Sequence, residues 1–379
     1  MLASRQSAAG ASSARGTDRA GPRRVTVARY WTPFAFLALV PLGFWLGGAW
    51  SFLLVGVLPL ALTGLDWLLG EEAAPAETAP ALAYRLLPYL YIPLQLAVLA
   101  WAAWTVAQAS TTLLEAIGLT LSCGASAGVF GFIAAHDMVH SRHPRERVAG
   151  LAMLAALLDM RFAISHVQGH HRRAATFEDP ASARRGESVY AFIVRSVAGQ
   201  AREAWAFEAH RLGRIGRPAL GSGNRVVVYA AIETALLLAV GLFSLRALAF
   251  FVADAAIAIV LLECFNYVAH YGLQRRRGPD GRLEPLRPRH SWNTRRRMNN
   301  RALFNMGRHA DHHRFSSRPY QELEVLEGGA MLPGGYAGVL LLALVPPLWR
   351  RVMDPRVDAA MAADSGAPAA IVDGRRAAA

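Results

Sequence analysis

The sequence predicts an all-α integral membrane protein, with six transmembrane helices carrying a helical cap rich in histidine. Three observations carry that prediction. Of the 379 residues, 54% are apolar and 18% charged, a composition outside the range of ordinary soluble domains. Apolar runs at about 33–50, 51–69, 86–107, 113–135, 226–245 and 247–268 each approach the ~20 residues that cross ~30 Å of hydrocarbon. The twelve histidines are gathered rather than scattered, three of them in the five positions of "HADHH" at 309–313.

Taken in order, residues 1–28 are rich in Ala, Gly, Ser and Arg without periodicity and are expected to form a disordered basic tail. The first apolar run lies too far from the start for a cleaved signal peptide and continues through "GGAW" into the second. Six arginines precede it, and the sequence contains no lysine, so arginine alone sets orientation. The positive-inside rule places the N-terminus in the cytoplasm, and an even number of spans returns the C-terminus there. "GGAW", "QASTT" and the turn at Arg246 carry almost no charge and read as outer connections. The acidic "EEAAPAET" weighs little in this rule. The net charge of +13 is then a mark of topology rather than a nucleic-acid footprint. Cys123 and Cys264 both fall in apolar runs without CxxC spacing, which excludes a disulfide framework and a cysteine metal site. The membrane domain is expected over 29–350, followed by an Ala-rich disordered tail over 351–379.

This topology brings the histidines to one face. The fourth span ends at His136 and the sixth at His270, both running inward, and residues 136–223 and 271–379 lie on the same side. Helical spacing pairs His136 with His140, His166 with His170, and His309 with His312 and His313. His171, about 100° round the helix from His170, suits a second ion. Nine histidines exceed the needs of one metal; two would take four or five each. His210 and His290 read as ordinary surface or core histidines, and His143, in "RHPRER", as part of a headgroup-facing turn or an outer position of the site. Imidazole suits iron, zinc, copper and nickel, but zinc sites close at four ligands. A site above an apolar bundle points to a greasy substrate offering little but C–H bonds, hence to a redox metal that activates oxygen. Membrane hydroxylases and desaturases fit; a metal transporter or sensor would distribute its histidines along a pore.

"HDMVH", "HVQGHH", "NYVAHYGL" and "LFNMGRHADHH" resemble, in order and spacing, the four histidine motifs of the bacterial integral-membrane alkane 1-monooxygenase family, within the membrane fatty acid desaturase/hydroxylase superfamily. "TFEDPASARRGESVYAFIVRS", "RPYQ" and "LPGGYAGVLLLAL" extend the resemblance to roughly residues 30–350, and the NYxxHYG pattern separates it from the desaturases. The resemblance implies a non-heme diiron site, two iron ions held by His136, His140, His166, His170, His171, His270, His309, His312 and His313. It also implies conversion of an alkane's terminal methyl group to a primary alcohol with O2, the second oxygen leaving as water. Electrons would come from a rubredoxin reduced by an NADH-dependent rubredoxin reductase. The location implied is the bacterial inner (cytoplasmic) membrane, among lipids that also carry the hydrocarbon substrate, with termini and site cytoplasmic. A fused rubredoxin domain is not expected, because it needs four cysteines. Related enzymes act on aromatic methyl groups or fatty acyl chains, and these are the alternative activities.

The sequence departs from the family pattern in three places: Asp137 replaces the glutamate after the leading histidine, and Ser165 and Ala269 replace glutamates before the second and third motifs. Acids beside ligating histidines fix the tautomer and raise ligand basicity. Glu263, Asp137 and Asp311 are the candidates for that work, Glu263 foremost because it lies two turns before His270 on one helical face. Glu233 and Asp254 also lie within spans, lining a cavity or pairing with neighbours. The small residues of "CGASAGVFG" either pack helices closely or open a substrate channel. Trp45, Trp50, Trp101 and Trp104 suit interface anchors or pocket walls. Two basic runs, Arg275 to Arg277 and Arg295 to Arg297, would steer an acidic electron donor or bind anionic headgroups.

Overall fold

A computed structural model describes residues 27–72 and 81–362. Helices long and apolar enough to cross a bilayer run over Val27–Leu46, Gly48–Leu69, Leu82–Ala107, Leu113–Val139, Arg225–Phe243 and Leu245–His270, six in all among the described residues. These are the six runs expected from hydropathy, with ends shifted by a few residues where caps take over. The fourth span starts at a capping box: the Thr112 side chain accepts from the Glu115 N–H, and Glu115 accepts in return from the Thr112 N–H. Glu115 also accepts from the Gly48 N–H at 3.0 Å, tying the two connections at that end of the bundle. Ser244 and Asn224 cap the sixth and fifth spans.

The fourth and sixth spans form the core, and small residues let them touch. A Cβ on Gly124 would meet the Ile257 side chain at 2.8 Å, and one on Gly128 would meet the Ala258 Cα at 2.7 Å. Close packing is therefore one role of "CGASAGVFG". The fifth span is peripheral, with none of its residues buried. Trp45, Trp50 and Trp104 project outward at the end of the bundle away from the histidines, as interface anchors do, while Trp101 packs edge-on against Phe44.

The cap is built from the segments that come after the fourth and sixth spans. Helix Val189–Gly213 buries a stripe of Val189, Phe192, Ser196, Gln200, Ala204, Glu208 and Leu212, spaced by three and four as one helical face requires. Its Glu208 receives Arg211 and Arg225, locking the helix to the start of the fifth span. Among the described residues, strand pairing is limited to a parallel contact of Trp292–Asn293 with Ala330–Met331 and two isolated antiparallel bridges, Glu71 with Arg296 and Arg277 with Leu283. Residues 351–362, expected within a disordered tail, instead complete helix Pro346–Ala362. The reason is a stripe at four-residue spacing, Trp349, Met353 and Val357, which is buried. Trp349 packs on Tyr267 and Tyr271 at ring separations of 5.2 and 5.1 Å, and Asp354 accepts from the Tyr271 hydroxyl at 2.7 Å. This helix thus braces the end of the sixth span beside His270. The tail segments 1–26 and 363–379 lie outside the described residues.

Because Gly128 faces a backbone atom of Ala258, Gly128→Ala is expected to force the two core spans apart, at a cost of about 1–3 kcal/mol. Thermal unfolding in detergent should show a lowered midpoint; an unchanged midpoint would mean that the spans have slack at this contact.

Candidate metal centre

The four histidine-bearing segments meet at one end of the bundle. His136 comes from the last turn of the fourth span and His140 directly follows it; His270 closes the sixth span. His166 and His170 stand in a π-helical turn, Ser165–His170, with His171 next in line. His309, His312 and His313 share the short helix His309–Arg314. Their nitrogens form two groups. His136, His140, His166, His171 and His312 make one, and His170, His270, His309 and His313 the other, with ligand atoms in each lying within 4.8 Å of one another. His143 and His210 are exposed and stand outside both groups. His290 is buried beside the second group without joining it, its backbone bonded to His270 and its ring accepting from the Arg287 N–H at 2.9 Å.

This division differs from simple helical pairing in two places. His166 and His170 go to different groups, because the π turn stacks residue i+5 over residue i. An α-helix would leave about 140° between positions five apart. The His166 and His171 Nε2 atoms are 3.0 Å apart as a result. His312 likewise leaves His309 and His313 and joins the first group, its ring 4.6 Å from that of His136. Adjacent positions diverge by about 100°, so His312 and His313 point into different groups.

The donor set fits two metal ions. Within the first group His136 and His166 present Nε2 to each other at 2.8 Å, and His171 faces His140 and His312 at 3.1 and 3.2 Å. In the second, His270, His309 and His313 meet through Nε2 at 3.0 to 3.2 Å. At a metal–imidazole bond of about 2.1 Å, neighbouring ligands around one ion stand about 3.0 Å apart. Among the described residues, His170 Nε2 and the Nδ1 atoms of His136, His171, His309 and His313 have no hydrogen-bond partner. Burial, reinforced by neighbouring imidazoles, holds His140 down at about 3. The same causes keep His166, His171, His309, His312 and His313 well below the ordinary value of 6.5. These rings are neutral at pH 7, as metal ligation requires.

One carboxylate orients a histidine, and sequence reasoning did not single it out. Asp179, buried in the loop after the second motif, accepts from His170 Nδ1 at 2.8 Å. Ser182 Oγ donates to the same carboxylate at 2.6 Å and the Ala181 N–H at 3.0 Å. Burial pushes Asp179 up, but His170 and Ser182 hold it below the ordinary carboxylate value. The signal available was "FEDP", inside the stretch that carried the family resemblance. The three expected acids do other work. Glu263 accepts from Gln200 Nε2 at 2.7 Å and from Asn266 at 3.4 Å. Asp311 takes Arg318 Nη1 at 2.6 Å and the Glu324 N–H at 2.9 Å, pinning the following loop. Asp137 is half-buried and, among the described residues, bonds to no histidine. Ser165 back-bonds to the Arg161 carbonyl, and Ala269 is buried. Glu233 accepts from the Met160 N–H at 2.7 Å, and the buried Asp254 carboxylate has no partner among the described residues.

The fourth motif is held from behind. Phe304 and Asn305 adopt positive φ of 44° and 58°, a strained turn for non-glycine residues. Asn305 Nδ2 donates to the Tyr30 hydroxyl at 2.7 Å and the Tyr320 carbonyl at 2.9 Å, fixing that turn. Asn293 Oδ1 then accepts from the Ala310 N–H at 2.8 Å, orienting the helix of His309.

Beneath the histidines lies a cavity of about 240 Å³ between the second, fourth and sixth spans and helix Tyr336–Ala343. Leu58, Leu62, Phe132, Leu262, Phe265 and Leu340 line it, with Ala125, Gly128 and Val129 of "CGASAGVFG" on one wall. The small residues therefore serve both helix contact and cavity. Phe265 links cavity and site: its ring is 5.7 Å from that of His309 and stacks on Tyr336 at 4.3 Å.

Fold and site together define a polytopic helical membrane protein that gathers nine histidines into two groups, each able to hold a metal ion, above an apolar cavity. Residues 110–328 match the fatty acid desaturase family. The chain is 38% identical over 349 residues to alkane 1-monooxygenase 1 of Pseudomonas aeruginosa, covering 87% of this chain and 90% of that protein. It is 33% identical to alkane 1-monooxygenase of Acinetobacter baylyi, covering 79% and 75%. It is 29% identical to the xylene/toluene monooxygenase hydroxylase component of Pseudomonas putida, covering 81% and 82%. The chain belongs to the alkane 1-monooxygenase family, within the fatty acid desaturases.

Two outcomes are expected. Asp179→Asn keeps the shape of the side chain but weakens the hold on His170, and should lower metal affinity about 10–100-fold while Asp311→Asn leaves it near wild type. Metal titration of the folded protein checks this, and equal affinities would remove Asp179 from the account. In metal-stripped protein, unfolded histidines take up protons near the ordinary value while the buried ones do not, so stability is lost as pH falls. The unfolding midpoint should begin to drop near about pH 6.5 and keep falling toward about 3, the His140 value; a flat profile would show that the clusters protonate in the folded state.

Proposed function

We propose that this chain is a non-heme diiron monooxygenase that converts the terminal methyl group of an alkane to a primary alcohol. One O2, two electrons and two protons are consumed, and the second oxygen leaves as water. The observation that carries the reading is the juxtaposition of a buried nine-histidine centre with an apolar cavity reached from between membrane spans. Two iron ions held by His136, His140, His166, His171 and His312, and by His170, His270, His309 and His313, would supply the redox chemistry of oxygen activation. An all-imidazole set suits that metal, and nine ligands exceed what a four-coordinate zinc site takes.

The protein's own part is positioning. The cavity wall is mostly apolar, with Asn299 and Tyr336 among its few polar residues, so a hydrocarbon chain is placed there mainly by shape, with Phe265 beside His309 at one wall. Asp179 keeps the His170 proton on Nδ1, leaving Nε2 to face its group. Burial of the smaller histidine group excludes bulk water from that side. A rubredoxin, reduced by an NADH-dependent reductase, serves as electron donor on the family resemblance. Arginine placement supports a cytoplasmic site in an inner membrane. The xylene/toluene relative supports a second reading, hydroxylation of a methyl group on an aromatic ring.

Cells making this chain with a rubredoxin and its reductase, fed medium-chain alkanes or methylated aromatics under labelled O2, should accumulate a labelled primary alcohol, read by gas chromatography and mass spectrometry. Label in benzylic alcohols alone would select the second reading, and no oxygenated product from folded, iron-loaded protein would refute both.

A further inference from the structure

The two histidine groups differ in access. All four members of the smaller group are buried, whereas His140 and His171 of the larger one are only partly buried. The chain runs out from these two rings, and from His313, onto a rim of exposed arginines: Arg142 two residues after His140, Arg172 next to His171, and Arg314 next to His313. Arg142 Nη2 reaches Ser317 Oγ at 3.5 Å, which draws the first and last of these segments together. At the rim stands Phe315, 43% exposed, with the Arg314 and Arg318 guanidinium groups 5.0 and 4.3 Å from its ring centre. Arg142, Arg172 and Arg314 form no ion pair among the described residues.

The basic runs that stand out in the sequence are, by contrast, largely committed. Arg275 donates to the carbonyls of Arg172 and Glu284, and Arg277 pairs with Glu178 at 2.9 Å. Arg296 lies 3.9 Å from Glu71, and Arg297 donates to the Glu71 carbonyl at 3.1 Å. Among the described residues, Arg295 alone in those runs is exposed without such a side-chain bond.

We propose that the rim of Arg142, Arg172 and Arg314 around Phe315 is the docking surface for an acidic one-electron carrier, and that electrons enter through the five-histidine group. The proposal rests on the hydroxylase reading and adds where its donor binds. Unpaired guanidinium groups around an exposed aromatic ring suit an acidic partner: the charges steer encounter and the ring supplies a desolvated anchor. A carrier seated there faces the open edges of His140 and His171, with the buried group behind them. Each docking oxidises the carrier by one electron and reduces the centre by one, so two dockings serve each alcohol formed.

The test compares wild type, Arg142→Glu/Arg314→Glu, Phe315→Ala and Arg295→Glu as iron-loaded holoenzyme in zwitterionic nanodiscs, with reduced rubredoxin as the probe. The rim variants should raise KM for rubredoxin roughly tenfold or more, through slower association, with kcat at saturation retained and the salt dependence of the charge variant flattened. Arg295→Glu should behave as wild type. Dithionite-driven single turnover should give equal product in all four proteins. An unchanged KM and salt slope in the rim variants would overturn the proposal, as would an equal loss under dithionite, which would make the rim structural. A defect that follows the anionic lipid content of the nanodisc rather than rubredoxin concentration would assign the rim to headgroups. Wild type that yields no product under either reductant would refute the hydroxylase reading itself, which the other outcomes leave standing.

Discussion

Nine imidazole rings turn toward one another, with nitrogens about three ångströms apart in a largely buried space, an arrangement that cations between them would stabilise. The alternative is protonation, and burial together with mutual repulsion opposes that in His140, His166, His171, His309, His312 and His313. The rest of the protein is arranged around this constraint. Two core spans are packed closely enough, through Gly124 and Gly128, to bring His136 and His270 to one level. The helix behind the sixth span, the strained turn at Phe304 and Asn305 and the Asp179 loop then hold the remaining rings against forces that would spread them.

The Asp179 loop shows how the segments depend on one another. It reaches His170 through Asp179, while the Gly272 N–H donates to the Ala183 carbonyl at 2.9 Å and the Arg275 N–H to the Ala175 carbonyl at 2.8 Å. One loop therefore registers the second histidine motif against the end of the sixth span, and the two ligands His170 and His270 share a group because of it. The apolar cavity below is the other consequence of the same packing. The spans touch at Gly124 and Gly128 and leave room beside Phe265, whose ring stands 5.7 Å from that of His309, so the apolar space ends next to the histidines.

Much of this was legible in the sequence because its physics is local. Hydropathy alone locates the six spans, since length and apolarity are all that crossing a bilayer demands. The nine histidines stand out because helical spacing repeats in three clusters and topology brings them to one side. Their division was not legible: it turns on a π turn at Ser165–His170, which no residue pattern announces, and on which way His312 faces. Asp179 escaped because it lies in a loop, and its approach to His170 depends on Ser182 and on contacts to the sixth span. Glu263 looked the better candidate by helical phase, yet a neighbouring helix reaches it first through Gln200. The last helix was missed because Arg and Asp around Trp349, Met353 and Val357 mask a stripe that only the tyrosines of the sixth span reveal. How far the arginine runs are tied down was not legible for a similar reason, since Arg275, Arg277, Arg296 and Arg297 find partners distant in sequence.

The central claim is that these nine side chains hold two metal ions of one kind, and the most direct measurement is the metal content of protein purified from iron-supplemented cells, combined with Mössbauer spectroscopy. The account predicts two irons per chain in nitrogen-rich surroundings, with both lost from a protein in which His312 and His313 are replaced by alanine. A single tightly bound ion, or two zinc ions in protein that is active, would contradict it.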